Sequence, residues 1–378
     1  TSRFWRFDTT AERFQKTNCQ DLIKSPDCQI LIHANVQSLR QGTNTDRINQ
    51  IIARSLGGKT TNISANVFVI ACGGIENARL LLASNLGNHH DQVGRYFMEH
   101  PHGRLGFLRT SNLFETWSMF RKKFDAIDNI PIAPVLISTP EMQRENGILN
   151  SAITFKLQPD PGKGPSLHRR LYRSMKHHLN PSSSGRKIWR GYRATSDWAQ
   201  LHLAPFIQRA RAEAGLLRLS VIIRGEQAPN PNSRVGLARK RDAFGSPLAD
   251  LNWQLSEIDK RTVVVMADRL DEAFRASGNG TIEKAQWLDD NAVHWPIDHT
   301  VGNHPIGGYH HMGTTRMSVS PRNGVVDTDC RVHGYRNLFI AGSSVFPTSG
   351  WANPTLTLLA LTYRLADHLS RPTERLKI

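Results

Sequence analysis

No run of eighteen apolar residues occurs anywhere in the sequence, which excludes an ordinary transmembrane helix and leaves only a peripheral membrane contact open. Cysteine is scarce. Cys19, Cys28, Cys72 and Cys330 are never spaced C-x-x-C, so neither a disulfide framework nor a structural zinc site is expected, and a reducing, cytoplasmic setting is the default. H-E-x-x-H is absent, and His100-Pro-His102, His177-His178 and His310-His311 lack carboxylates at helical spacing, so no catalytic metal is expected. Internal repeats and low-complexity tracts are missing. The opening Thr1-Ser-Arg-Phe-Trp-Arg-Phe has neither an initiator Met nor the build of a signal peptide, which reads as a fragment or a processed chain.

What is present folds. With 378 residues, 39% of them apolar and 21% charged, the chain suffices for two domains or one large α/β unit. The net charge of +16 is local, because residues 151–241 hold 18 Lys and Arg against 4 Asp and Glu. Trp189, Tyr192 and Trp198 stand among those arginines, a mixture able to bind nucleic acid or an anionic surface. A solvated basic insertion is the plainer reading, and no nucleic-acid partner is expected.

Strand signals separated by polar turns run from Cys28 to Ala71, at Ile30-Leu-Ile32, Ile48–Ala53 and Val67–Ala71. The last run is wholly apolar, the pattern of a strand buried on both faces; Cys72-Gly-Gly follows, then helical spacing over Ile75–Ser84. Strand, glycine turn and helix make either a tight turn or a place where backbone approaches an anionic ligand. Further strands are expected at Pro131–Ser138, Ser151–Leu157 and Leu217–Arg224, with a basic helical stretch between Leu167 and Ala214. Ser256 and Asp259 open a helix with Val263, Val264, Ala267, Leu270 and Phe274 at helical spacing, and Gly278 ends it.

The C-terminal quarter holds the chemistry. Asn337–Ala341 is a short apolar strand, Gly342-Ser-Ser-Val-Phe-Pro-Thr a turn, and Asn353-Pro354-Thr355 the start of a helix to about Leu369, with Asn353 as cap. Leu356, Leu359, Ala360 and Tyr363 share one face of that helix and leucines fill its flanks, so it is expected to be buried with its start aimed inward. Such a start suits an anion or an electron-rich ring oxygen. Upstream, His310-His311 lies in a glycine-bordered turn and offers either a base working near neutral pH or a structural pair.

His310-His-Met-Gly-Thr-Thr-Arg-Met, Gly324-Val-Val-Asp-Thr-Asp-Cys-Arg-Val-His-Gly, Asn337-Leu-Phe-Ile-Ala-Gly-Ser-Ser-Val-Phe-Pro-Thr and Ala352-Asn-Pro-Thr-Leu-Thr, in that order, closely resemble the glucose-methanol-choline (GMC) flavoprotein oxidoreductases. Ala34-Asn-Val36, Val69-Ile-Ala-Cys-Gly-Gly-Ile-Glu-Asn-Ala-Arg, Val93-Gly-Arg-Tyr-Phe-Met-Glu-His-Pro and Glu226-Gln-Ala-Pro-Asn-Pro-Asn-Ser-Arg-Val are similar to that family's middle portion. The likeness is weakest between Gly162 and Gly215.

The resemblance implies an α/β fold: a Rossmann-type FAD-binding domain over residues 1–99 and 300–378, and an α+β substrate domain of antiparallel sheet and helices over residues 100–299. It implies FAD as cofactor, with Val36, Cys72, Gly73, Gly74, Asn77, Gly342, Ser343, Pro354 and Thr355 as its contacts. His310 of H-x-x-G-T is implied as the base that takes a hydroxyl proton while the carbon gives hydride to flavin, and Asn353 as its partner on the substrate oxygen. Many relatives carry His at the second position; Asn cannot exchange a proton, so His310 would act alone. The implied substrate is a sugar, glycoside or other alcohol, and the electron acceptor stays open. The family's opening G-x-G-x-x-G does not occur here. Residues 1–378 alone are therefore expected to hold FAD weakly or not at all, and a cofactor-free remnant stands as the rival to an enzyme.

Overall fold

The computed structural model describes residues 1–6, 16–121, 123–124, 130–158, 191–192, 195, 204–290, 292–293, 295–298, 301 and 308–371. In chain order the strands are β1 (Ser2–Arg6), β2 (Asn35–Gln41), β3 (Ile48–Arg54), β4 (Thr60–Ile63), β5 (Phe68–Ile70), β6 (His102–Arg109), β7 (Lys123–Phe124), β8 (Pro131–Ile137), β9 (Ser151–Gln158), β10 (Arg218–Gly225), β11 (Arg234–Arg241), β12 (Pro247–Asn252), β13 (Thr281–Lys284) and β14 (Leu338–Ile340). The helices are α1 (Gln20–Lys24), α2 (Gly73–Ala83), α3 (Leu113–Phe120), α4 (Pro140–Asn146), α5 (Ala204–Glu213), α6 (Glu257–Ala276) and α7 (Thr355–Ser370).

Contacts divide the chain into two compact units, one of residues 1–7, 102–224 and 260–307, the other of residues 8–101, 225–259 and 308–378. The division drawn from sequence at residues 99 and 299 differs chiefly in giving 225–259 to the substrate domain. That segment carries the β11–β12 hairpin, and helix α2 packs against both of its strands.

The first unit is built on an antiparallel sheet in the order β1-β8-β9-β10-β6-β13, with β7 beside β8. Val135, Ile153, Leu219, Val221, Ile223 and Leu105 are buried on it. Val263, Met266, Ala267 and Leu270 of α6, spaced as one helical stripe, are buried as well, and the rings of Phe155 and Phe274 meet edge to face. The expected strands at 131–138, 151–157 and 217–224 are thus found. Of the expected basic helix only α5 and residues 191–192 and 195 are described; the rest lies outside the described residues.

In the second unit β14 pairs with β5 in parallel, Leu338 opposite Phe68 and Ile340 opposite Ile70. A separate antiparallel sheet runs β2-β3-β4. Asn337 joins the two sheets: its Oδ1 accepts from Ile48 N (2.8 Å) and its Nδ2 donates to Ile48 O (2.7 Å). Helix α2 buries Gly74, Asn77, Ala78, Leu80 and Leu81. At the start of α6, Asp259 Oδ2 accepts from both the backbone N and the hydroxyl of Ser256, so the acid does the capping and the serine donates. Burial raises the Asp259 pKa in spite of those bonds.

Four local expectations change. Ile30, Leu31 and Ile32 form no strand and are exposed, because no neighbouring strand reaches them among the described residues. In β5, Phe68 and Ile70 are buried but Val69 is 45% exposed, so this strand is covered on one face only. Helix α7 buries Leu365 alone, while Leu356 (81% exposed) and Tyr363 (72%) face outward, so the face expected to be buried finds no cover among the described residues. That helix begins one residue later than expected. Pro354, not Asn353, is its N-cap, its carbonyl accepting from Leu358 N at 2.8 Å, and Asn353 is exposed ahead of it.

Candidate active site

Parallel strands end side by side, so the turns that leave them are neighbours. The backbone N–H of Ala341 donates to Ile70 O (2.9 Å) just before the two chains part. β5 leads into Cys72-Gly73-Gly74 and β14 into Gly342-Ser343-Ser344. Gly73 (φ 89°) and Gly342 (φ 122°) both adopt conformations that favour glycine. One side chain ties the turns together: Asn77 Oδ1 accepts from Cys72 N (2.7 Å), and its Nδ2 donates to Ser344 Oγ (2.8 Å). Thr315 Oγ1 donates to the same serine at 2.7 Å. Asn77, Thr315 and Ser344 are fully buried, and their polar side chains satisfy one another.

The histidine turn is stitched to both. Ser343 Oγ donates to His311 O (2.7 Å), Thr315 N to Ser344 O (2.9 Å), and the Thr314 hydroxyl to Gly74 O. A Cβ at residue 74 would overlap the His311 carbonyl, so the second glycine of the turn is required by this approach rather than by its own dihedrals. Gly313 (φ 86°) lets the chain reverse, and Tyr309 takes a left-handed conformation (φ 55°) although it is not glycine.

Beneath this turn lies Glu99, fully buried. Met98 and Met312 exchange both backbone hydrogen bonds at 3.0 Å, which sets the Glu99 segment against the histidines. Oε1 of Glu99 accepts from His100 N (2.8 Å), Oε2 accepts from His310 N (2.7 Å), and His311 Nε2 stands 3.7 Å from Oε2. The rings of His100 and His310 meet edge to face at 5.2 Å. Burial pushes the His311 pKa below the usual histidine range.

Of the residues singled out in the sequence, Cys72, Gly73, Gly74, Asn77, Gly342, Ser343 and the His310 turn are brought together here. No described contact brings Val36, Asn353, Pro354 or Thr355 to them. Val36 pairs with Ala53 in the β2–β3 ladder. The turns fit an extended anionic cofactor such as FAD. Cys72 and Gly73 are exposed, nothing lies within 4 Å of a Cβ placed on Gly73, and no side chain caps α2, so its first N–H groups are open to a ligand. Sequence reading missed Glu99 and Ser344, and also Gln227, whose Oε1 accepts from the Glu99 N–H at 2.9 Å. The signal for Glu99 was a lone acid straight after the apolar Phe97-Met98, within a segment already similar to the family.

Models of GMC oxidoreductase match residues 12–102 and 229–362, together more than half of the chain. The chain belongs to the GMC oxidoreductase family. It is 27% identical over 335 residues to the fructose dehydrogenase large subunit of Gluconobacter japonicus, covering 85% of this chain and 51% of that protein. To a 2-methyl-1,2-propanediol dehydrogenase of Mycolicibacterium austroafricanum it is 28% identical, covering 83% and 49%; to a paromamine 6'-oxidase of Streptomyces fradiae it is 26% identical, covering 89% and 54%. The chain thus spans about half the length of these GMC relatives. Its fold matches a formate oxidase of Aspergillus oryzae RIB40, described for its FAD modification, with a TM-score of 0.53 at 15% identity over 93% of this chain and 62% of that one. The mixed α/β architecture is therefore that of the GMC fold.

Proposed function

We propose that this GMC chain works in an FAD-dependent oxidoreductase that oxidises a CH–OH group of a sugar, glycoside or other alcohol. The observation that carries the reading is the bonding of the histidine turn to both turns at the carboxyl ends of the parallel strands, the place where open α/β sheets take their ligands. Cys72, Gly73, Gly74, Asn77, Gly342 and Ser343 would hold the cofactor. When bound, FAD supplies the hydride acceptor.

His310 takes the hydroxyl proton of the substrate, and its backbone is held for that task by Glu99 below. Asn353, one residue ahead of the α7 cap, is the partner on the substrate oxygen; its motif position supports this role. A sugar or polyol substrate draws support from relatives named for fructose, propanediol and paromamine. None of the four cysteines is in a disulfide, which supports a cytoplasmic location. Among the described residues no helix is long and apolar enough to cross a membrane.

The test is flavin absorbance on the purified full-length protein, followed by anaerobic reduction with candidate sugars and alcohols. His310→Ala should slow flavin reduction by about 10²- to 10⁴-fold with flavin still bound. His311→Ala should slow it less. Wild-type reduction rates in His310→Ala would remove the base from this histidine, and a colourless full-length protein would favour the remnant.

A further inference from the structure

We propose that Glu99 is a positioning residue for the histidine turn, its buried carboxylate fixing the backbone of His310 and serving as counter-charge for the proton that the His310–His311 pair takes up. The inference rests on the reading of His310 as base, and it deepens that reading by naming what holds the base and what balances its charge. The proton leaves the substrate hydroxyl for imidazole; Glu99 neither gives nor receives it.

A carboxylate removed from water is costly unless its oxygens find donors, and here both do. Oε1 takes the His100 N–H at 2.8 Å and Oε2 the His310 N–H at 2.7 Å, an arrangement in which both oxygens accept, as in an ionised acid. The surroundings are shaped to let it approach. A Cβ on Gly308 would stand 2.6 Å from Oε1, so a larger residue at the start of the turn would displace the Glu99 carboxylate. Tyr309 is held left-handed between that glycine and the His310 amide that Glu99 grips.

A neutral side chain such as glutamine could also accept from the His310 amide, so anchoring alone does not call for an acid. The charge has a second use. His311 Nε2 is 3.7 Å from Oε2, and His310 hangs from the same oxygen by its backbone. In the contacts described, the titratable groups facing Glu99 are His100 on its own segment and His310 and His311 on the opposite one. The third segment packed against it offers Gln227, which is neutral, accepts from the Glu99 N–H at 2.9 Å, and is held by the Trp253 indole (2.9 Å) and by Gln254 O (3.0 Å). Phe97 covers the other side of His311, ring centroids 5.6 Å apart. The carboxylate thus stands where a negative charge would oppose the burial that lowers the His311 pKa, since an anion close to an imidazole favours its protonated form.

Glu99→Gln keeps the size and removes the charge. Histidine ring resonances followed by NMR against pH in the full-length protein should show the midpoint of the pair fall by roughly one pH unit. The His310 amide should exchange about tenfold faster, as expected when a charged acceptor is replaced by a neutral one. Glu99→Asp, the same charge on a shorter arm, should return the midpoint toward wild type while the His310 amide stays fast. Unshifted midpoints in a folded Glu99→Gln protein overturn the proposal. If Glu99→Gln does not fold, Glu99→Asp decides, and a His310 amide exchanging at the wild-type rate in it overturns the proposal too. Neither readout needs turnover. A shifted midpoint in a protein that oxidises no alcohol would defeat the reading of His310 as base and leave Glu99 standing, whereas alcohol oxidation with unshifted midpoints would do the reverse.

Discussion

Helix α2 buries five of its eleven residues, Leu81 completely, whereas α7 buries only Leu365 of sixteen. Both follow a strand of the same parallel pair, and both carry apolar residues at helical spacing. α2 is met by β2, by the β11–β12 hairpin and by the turn after β14, which fills every side of its stripe. α7 turns Leu356, Leu359 and Tyr363 outward. Apolar spacing states that a helix has a face to hide; whether it is hidden depends on another element being in reach.

The sharpest way to break this comparison is to cut into each helix. Leu81→Ala should cost about 2–5 kcal/mol, since the side chain is fully enclosed and leaves a cavity. Chemical denaturation of the full-length protein checks it, and a loss below about 0.5 kcal/mol would mean that α2 is not the packed helix of the pair. Next comes Gly74→Ala. In an exposed helix this change stabilises by roughly 0.5–1 kcal/mol, but here the new Cβ meets the His311 carbonyl, so the sign reverses to a loss of about 1–3 kcal/mol. Thermal melts decide the sign. Smallest of all is Leu356→Ser on α7, expected to change stability by less than about 0.5 kcal/mol because the residue is already in water. A loss of several kcal/mol there would show that the face is covered in the full-length protein.

Much of the second unit was legible in the sequence because its signals are local. Val67–Ala71, Cys72-Gly-Gly and the run after it announce strand, turn and helix by composition alone, and Leu338–Ile340 does the same. Ile30–Ile32 misled because three apolar residues in a row describe a strand only if another strand lies alongside. Asn353 misled at the cap because Pro354, with helix-like dihedrals, itself takes the N-cap position and leaves asparagine one residue outside it. In the site, the histidine and glycine turns stood out as candidates, and their roles were implied by the family resemblance. Glu99 did not stand out, since its place under the turn is made by the pairing of Met98 with Met312, over two hundred residues away.

That distance has a cost in time. β5 is complete by residue 70, but its partner β14 begins at residue 338. At the ~5–20 residues per second of protein synthesis, Phe68 and Ile70 leave the ribosome tens of seconds before Leu338 and Ile340 exist. Asn77 waits almost as long for Ser344. For all of that interval the nascent chain holds an apolar strand and the Nδ2 of a buried amide without their late partners, so a chaperone that shields short hydrophobic segments would find its earliest foothold there, and the yield of folded protein should depend on it.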